Sequence, residues 1–236
     1  MIMKNKIAVF DIDGTIFRKN LAFELINELV WMKIFRRKVR DELVYLYSKW
    51  LEHEGTYEEY RKALVSLYVK NVKGLSKIQI LETSRMVVPF FKDRTYIFAE
   101  NLISELKKKG YHIIAVSGSP SEIVEEYNKY LKFDKAYGSV YETDEKGFYT
   151  GRTVFEPTVH KGHVVRQYVT ENNLTLEDSY GIGDTESDAK FLEIVDHPIA
   201  FNPNINLRII AEKKGWRIVV EKKDVIYEIN SGVKII

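Results

Sequence analysis

Two carboxylates, Asp11 and Asp13, stand two residues apart in Phe10-Asp-Ile-Asp-Gly-Thr15, directly after the apolar run Lys6-Ile-Ala-Val-Phe10. On an extended strand, residues i and i+2 share a face, so both carboxylates converge on one point. Buried acids that share a site repel unless a cation or a shared proton intervenes. Oxygen donors of this kind suit a hard cation such as magnesium, and the chain has no Cys and only 5 His to hold softer metals. Gly14 lets the backbone turn and present amide hydrogens to an anion. A second acidic pair, Asp184 and Asp188, lies in Gly183-Asp-Thr-Glu-Ser-Asp188, where Asp184 ends another apolar strand. Taken alone, Asp188 reads equally well as an acid at a helix N-terminus. Four carboxylates from two strand ends on one sheet edge point to a metal.

Two further residues fit an anion at the same edge. Ser117 ends a third apolar strand, and its hydroxyl with the amides of Gly118 and Ser119 either caps the next helix or cradles a phosphate. Lys161 opens a helix in His160-Lys-Gly162, where the macrodipole disfavours a cation, so it needs a compensating anion. His160 and His163 read as surface or packing residues.

These side chains need a scaffold. The short run 6–10 reads as a buried parallel strand. From 20 to 88 the apolar residues recur at helical spacing, with breaks near Gly55-Thr56 and Gly74, which predicts three or four amphipathic helices closed by Pro89. An alternation follows: helix 94–109, strand 111–116, a helix to 131, a hairpin over 135–154, helix 161–171, strand 179–183, helix 187–195, strand 198–201, helix 205–214 and strand 216–220. Such alternation predicts an α/β fold with a doubly wound, mostly parallel sheet. Residues 1–17 and 89–236 form the α/β core in this reading, and 18–88 an inserted helical cap. An insertion after the first strand hangs over the C-terminal strand ends, where open α/β sheets bind ligands. The cap aromatics Trp31, Phe35, Tyr45, Trp50, Tyr57 and Tyr60 read as cap core rather than as a specificity pocket.

Composition narrows the partners. With 45% apolar residues, 236 residues suffice for a proper core. Lys and Arg total 36 against 34 acids, a net charge of +2 that calls for neither nucleic acid nor membrane. The basic runs Arg36-Arg37-Lys38 and Lys107-Lys108-Lys109 read as solvated helix faces and helix C-termini. Lack of cysteine, of a secretory leader and of a membrane span predicts a soluble cytoplasmic protein. The oligomeric state stays open.

Together, Asp11-x-Asp13-x-Thr15, Ser117, Lys161 and Asp184-x-x-x-Asp188 stand in the order and settings of the four motifs of the haloacid dehalogenase superfamily, which the chain resembles along its whole length. The helical insertion, the Ser-Gly and Lys-Gly pairs, Ala200-Phe-Asn-Pro203, Leu207 and Gly215-Trp216 are similar to its phosphoserine phosphatase branch. The resemblance implies a magnesium-dependent phosphatase acting on a small phosphorylated metabolite. Asp11 would attack phosphorus to form an aspartyl-phosphate, and Asp13 would serve as acid and base. Ser117 and Lys161 would bind the phosphoryl oxygens. Magnesium would be held by the Asp11 carboxylate, the Asp13 backbone carbonyl, Asp184 and Asp188. Thr15, Asn20, Arg61, Gly118 and Ser187 would contact substrate. Asn20 stands where the branch usually carries a Glu for the substrate ammonium, so L-phosphoserine is expected to be either a poor substrate or bound differently. Phosphoryl transfer to another hydroxyl, as in a phosphomutase, is the alternative on the same core. A non-catalytic phospho-ligand module would be expected to lose Asp11 or Asp13.

Overall fold

Ile7 and Val9 face one apolar cluster while Ala8 and Phe10 face the other, so the strand Lys6–Phe10 (β1) is buried on both sides. That is the environment of a central strand in a sheet covered by helices. In the computed structural model, which describes residues 5–229, β1 is the fourth of eight strands. The others are His112–Pro120 (β2), Lys135–Thr143 (β3), Tyr149–Phe155 (β4), Thr175–Gly183 (β5), His197–Phe201 (β6), Arg217–Lys222 (β7) and Val225–Ile229 (β8). Their order is β4-β3-β2-β1-β5-β6-β7-β8. The run from β3 to β7 is parallel, and the antiparallel strands β4 and β8 close its edges.

Between β1 and β2 come Leu21–Trp31 (α1), Arg37–Leu51 (α2), Tyr57–Val72 (α3), Lys77–Phe91 (α4) and Ile97–Lys108 (α5). The remaining helices are Ser121–Leu131 (α6), Lys161–Glu171 (α7), Ala189–Leu192 (α8) and Ile205–Lys214 (α9). Apolar residues of α5 and α6 pack with those of α1–α4 against one face of the sheet, and those of α7–α9 cover the other. The fold is therefore α/β and doubly wound, with a mostly parallel sheet. Capping boxes at Thr56–Glu59 and Ser76–Gln79 start α3 and α4. The linkers around α1–α4 run side by side, with the Arg18 amide donating to the Arg94 carbonyl (2.9 Å) and the Tyr96 amide to the Ile16 carbonyl (3.0 Å). The α3–α4 connection is tied to the β3–β4 hairpin, the Gly74 amide donating to Tyr149 O (2.8 Å) and the Lys77 amide to Gly147 O (2.9 Å).

The structure corrects several local expectations. Pro89 lies inside the last turn of α4 instead of closing the helical region. It forfeits one helical hydrogen bond, but Val87 and Val88 on that turn are buried in the core, and the helix continues to Phe91. Strand β2 runs on through Pro120. The helix expected over 187–195 is a 3-10 turn, Glu186–Asp188, followed by the four residues of α8. Strand β8 is not foreseen, because most of its side chains are exposed and no apolar alternation marks it. Arg36–Lys38 are solvated as read, but they sit at the N-terminus of α2 rather than at a C-terminus that suits cations.

At the sheet edge opposite the strand C-termini, Asp178 accepts hydrogen bonds from Lys6, from the His197 ring and from the Tyr111 hydroxyl (3.0 Å). The Lys6 ammonium first, then His197 and Tyr111, hold its carboxyl well below the ordinary carboxylate range. A depressed carboxyl contributes stability above its unfolded value near about 3.9 and loses it as pH falls through the folded value. The site is solvent-exposed, so the contribution is small. Asp178→Asn is expected to lower the denaturation midpoint slightly at pH 7, and the gap from the parent should begin to narrow below about pH 4 and keep narrowing as pH falls further. A gap that widens toward acid would contradict this.

Candidate active site

The parallel strands deliver their last residues to one edge. Asp11 follows β1, Ser117 and Ser119 lie near the C-terminal end of β2, and Asp184 follows β5. Helices α1 and α3 stand over this edge, so Ala22, Tyr57, Arg61 and Leu64 share a small space with Asp11, Asp13, Lys161 and Asp184. Gly14 makes the approach of the first loop to the third possible. Its φ is +88°, and a Cβ there would lie 2.1 Å from an Asp184 carboxylate oxygen.

Asp11 and Asp188 both bind the Lys161 ammonium, which is almost fully buried between them. The anion required by a lysine at the start of α7 is thus a pair of carboxylates. The second Asp188 oxygen accepts from the amides of Asp184 (3.0 Å) and Thr185 (2.9 Å), which fixes the loop after β5. Asp184 is 8% exposed; its backbone carbonyl accepts from the Asn204 amide (2.8 Å), but its carboxylate accepts no hydrogen bond from any described residue. Burial raises the Asp11 pKa well above the ordinary carboxylate value; the Lys161 cation opposes this, and Asp188 and Asp13 add to it. Burial likewise raises Asp184, with Asp11 and Asp188 adding to the shift.

The donor set fits a divalent cation. One oxygen each of Asp11, Asp184 and Asp188 lies within 4.8 Å of the others, all three residues are buried, and a single ammonium faces them. A hard, oxygen-seeking ion would offset the burial and the mutual repulsion that raise the Asp11 and Asp184 carboxyls. The Asp13 carboxylate is not part of the triad and points elsewhere. One of its oxygens accepts from the Leu21 amide (2.6 Å), the other from the hydroxyls of Ser117 (2.7 Å) and Ser119 (2.8 Å). Burial raises the Asp13 pKa, while these three donors hold it down in part. The two acids of the first motif therefore sit in different environments, one beside a cation and the other in a cradle of neutral donors.

Ser117 turns toward Asp13 in this structure, and its oxygen also accepts from the Ser119 amide (2.9 Å). Thr15 is fully buried, and its hydroxyl has no partner among the described residues. Gly118 packs so tightly that a Cβ would lie 2.8 Å from the Thr158 methyl. Arg61 reaches the site from α3 but is held by Glu58 in a two-pronged pair at 2.7 and 2.8 Å. Ser187 lines the same space, 2.9 Å from the Thr185 hydroxyl. Asn20 also borders it, yet its side-chain oxygen caps α1 by accepting from the Phe23 amide (3.0 Å). Two side chains at the site are not foreseen in the sequence, that of Ser119, whose amide alone is read there, and that of Tyr57. Ser119 needed only the observation that residues 117 and 119 share a strand face. Tyr57 starts α3 over the acids, where burial and then Asp184, Asp13 and Asp11 push its phenol well above the ordinary value. His160 and His163 are exposed and take no part.

Residues 8–193 match the family model described as haloacid dehalogenase-like hydrolase. The chain belongs to this family. The hydrolase is 24% identical over 230 residues to a histidinol-phosphatase of Neisseria meningitidis, covering 92% of this chain and 99% of the relative. It is 25% identical over 227 residues to a phosphoserine phosphatase of Methanocaldococcus jannaschii, covering 95% and 96%. A phosphoserine phosphatase structure holding a phospho-aspartyl intermediate analogue superposes with a TM-score of 0.63 at 24% identity, over 94% of this hydrolase and 95% of that chain. The match to that structure establishes a common fold. No helix of this hydrolase among the described residues is long and apolar enough to cross a membrane.

Proposed function

We propose that this hydrolase is a magnesium-dependent phosphatase that cleaves a small phosphate monoester through an aspartyl-phosphate on Asp11. The observation that carries the reading is the contrast between Asp11, beside Lys161 and two further carboxylates, and Asp13, held among hydroxyls and an amide. The first environment keeps a nucleophile ionised once a cation is present; the second suits a group that gives and takes a proton. An Asp11 oxygen forms the bond to phosphorus as the ester P–O bond breaks, and Asp13 gives its proton to the departing oxygen. Asp13 then takes a proton from the water that attacks phosphorus, which releases inorganic phosphate and restores Asp11. Lys161 neutralises the phosphoryl oxygens, and Ser117 redirects its proton from Asp13 toward them. Magnesium, held by Asp11, Asp184, Asp188 and the Asp13 carbonyl, would supply further charge neutralisation. Residues 18–88 serve as a cap in this reading. The space over Asp11 is only about 40 Å³, so the cap must lift to admit an ester. A chain without cysteine suits a cytoplasmic location.

Phosphate release from a panel of monoesters tests the reading. Activity should require magnesium and vanish in EDTA; undiminished release in EDTA would refute it. L-Phosphoserine should rank low in that panel. Asn20 spends its side-chain oxygen on capping α1, and Arg61 is already paired with Glu58, so neither stands free for the amino acid's charges. A phosphoserine KM in the micromolar range would contradict this. Gly14→Ala is expected to weaken magnesium binding by about 10- to 100-fold, because the added methyl must displace Asp184. Titration calorimetry with magnesium measures this, and an unchanged affinity would disprove it.

A further inference from the structure

A second cavity opens beside the reaction space. Its volume is about 700 Å³, within the range of small-molecule pockets, and Asn20, Tyr57 and Asp184 border both spaces. Phe23 from α1, Tyr47 and Trp50 from α2, and Tyr57 and Tyr60 from α3 form its wall. Trp50 and Tyr60 lie nearly parallel, with centroids 6.0 Å apart and an interplanar angle of 15°. Tyr47 meets Tyr60 edge-on at 5.5 Å, and Tyr57 meets Trp50 edge-on at 5.2 Å. Each ring is thus braced by another, which makes a stiff surface that loses little freedom when a ligand arrives. Of the cap aromatics read as core, only Phe35 is deeply buried without lining this cavity, while Trp31 and Tyr45 are exposed.

Apart from Asp184, which the phosphatase reading assigns to the metal, the charged side chains at the rim are spoken for. Arg18 pairs with Glu221, Lys19 with Glu24 at 2.8 Å, and Glu58 with Arg61. A zwitterionic amino-acid group would have to break one of these pairs, and a flexible polar chain would leave the ring faces uncovered. A flat ring covers them and asks for no new charge partner.

Building on the phosphatase reading, we infer that the substrate is a phosphate monoester whose alcohol carries a flat aromatic or heteroaromatic ring, seated against Trp50 and its neighbours. The phosphate sits over Asp11, and a short linker passes Tyr57 and Asn20 to place the ring in the second cavity.

The test compares 2-phenylethyl phosphate with ethyl phosphate, which has the same linker without the ring, and with L-phosphoserine, all in magnesium. The wild-type kcat/KM should favour the ring ester by about tenfold or more, mainly through KM. Trp50→Leu should collapse that ratio toward one. Phosphate release with no preference for the ring, a preference for L-phosphoserine, or a ratio that survives in folded Trp50→Leu overturns this inference and leaves the phosphatase reading intact. The wild-type ratio decides by itself if the variant fails to fold. No release from any ester overturns both.

Discussion

Asp11→Asn is expected to lower phosphate release by more than about 1,000-fold while the protein stays folded. The amide keeps the shape of the carboxylate but cannot act as the nucleophile. Asp11 lies in a buried group of like charges, and those neighbours together with burial push its pKa up, so losing this charge relieves repulsion in the metal-free protein. Lys161 retains Asp188 as a partner. The metal-free variant should therefore melt no lower than the parent. Activity in the presence of saturating magnesium and the melting temperature in EDTA check the two halves separately. A variant that keeps substantial turnover would remove Asp11 from the reaction.

Lys161→Met is expected to be damaging in two ways. Turnover should fall by about 100-fold or more, because a donor aimed at developing charge is lost. The metal-free protein should also lose about 3–5 kcal/mol of stability, the typical cost of removing one partner of a buried ion pair. Lys161 is 1% exposed and, among the described residues, its ammonium is the one cation paired with Asp11 and Asp188, so its removal leaves acids facing acids. Magnesium should then recover much of that loss, since a bound cation stabilises the state that binds it. Denaturant midpoints of the variant in EDTA and in magnesium would show the recovery. Equal midpoints in both would mean that the acids do not hold the ion.

The acidic half of the site could be read in the sequence because strand periodicity is strict. Asp11, Asp184 and Ser117 each end an apolar run, and parallel strands must bring such ends to one edge. Lys161 was legible for a related reason, as a cation where a helix dipole opposes one. The substrate side was less legible because it depends on how helices pack across the site. Asn20 is an N-cap as well as a neighbour of the reaction space, and no spacing rule distinguishes the two. Arg61 reaches the site, and although Glu58 at i,i+3 is a partner the spacing offers, nothing in the sequence says whether Arg61 spends its charge there or on a ligand. Trp50, Tyr57 and Tyr60 have the helical spacing of core residues and do pack in or against the core, yet they also line a cavity, which no spacing rule reveals. In the fold, β8 was missed because an edge strand exposed to solvent carries no strong apolar signal.

Reductive trapping tests the proposed chemistry most directly. Protein quenched during turnover in magnesium and treated with borohydride should yield homoserine at position 11, formed by reduction of the aspartyl-phosphate, and only when a hydrolysable ester is present. Peptide mass spectrometry locates the change. Homoserine at Asp11 in the substrate-treated sample is the result the mechanism predicts. Modification at Asp13 or Asp184 instead, or an unmodified Asp11 in a sample actively releasing phosphate, would contradict it.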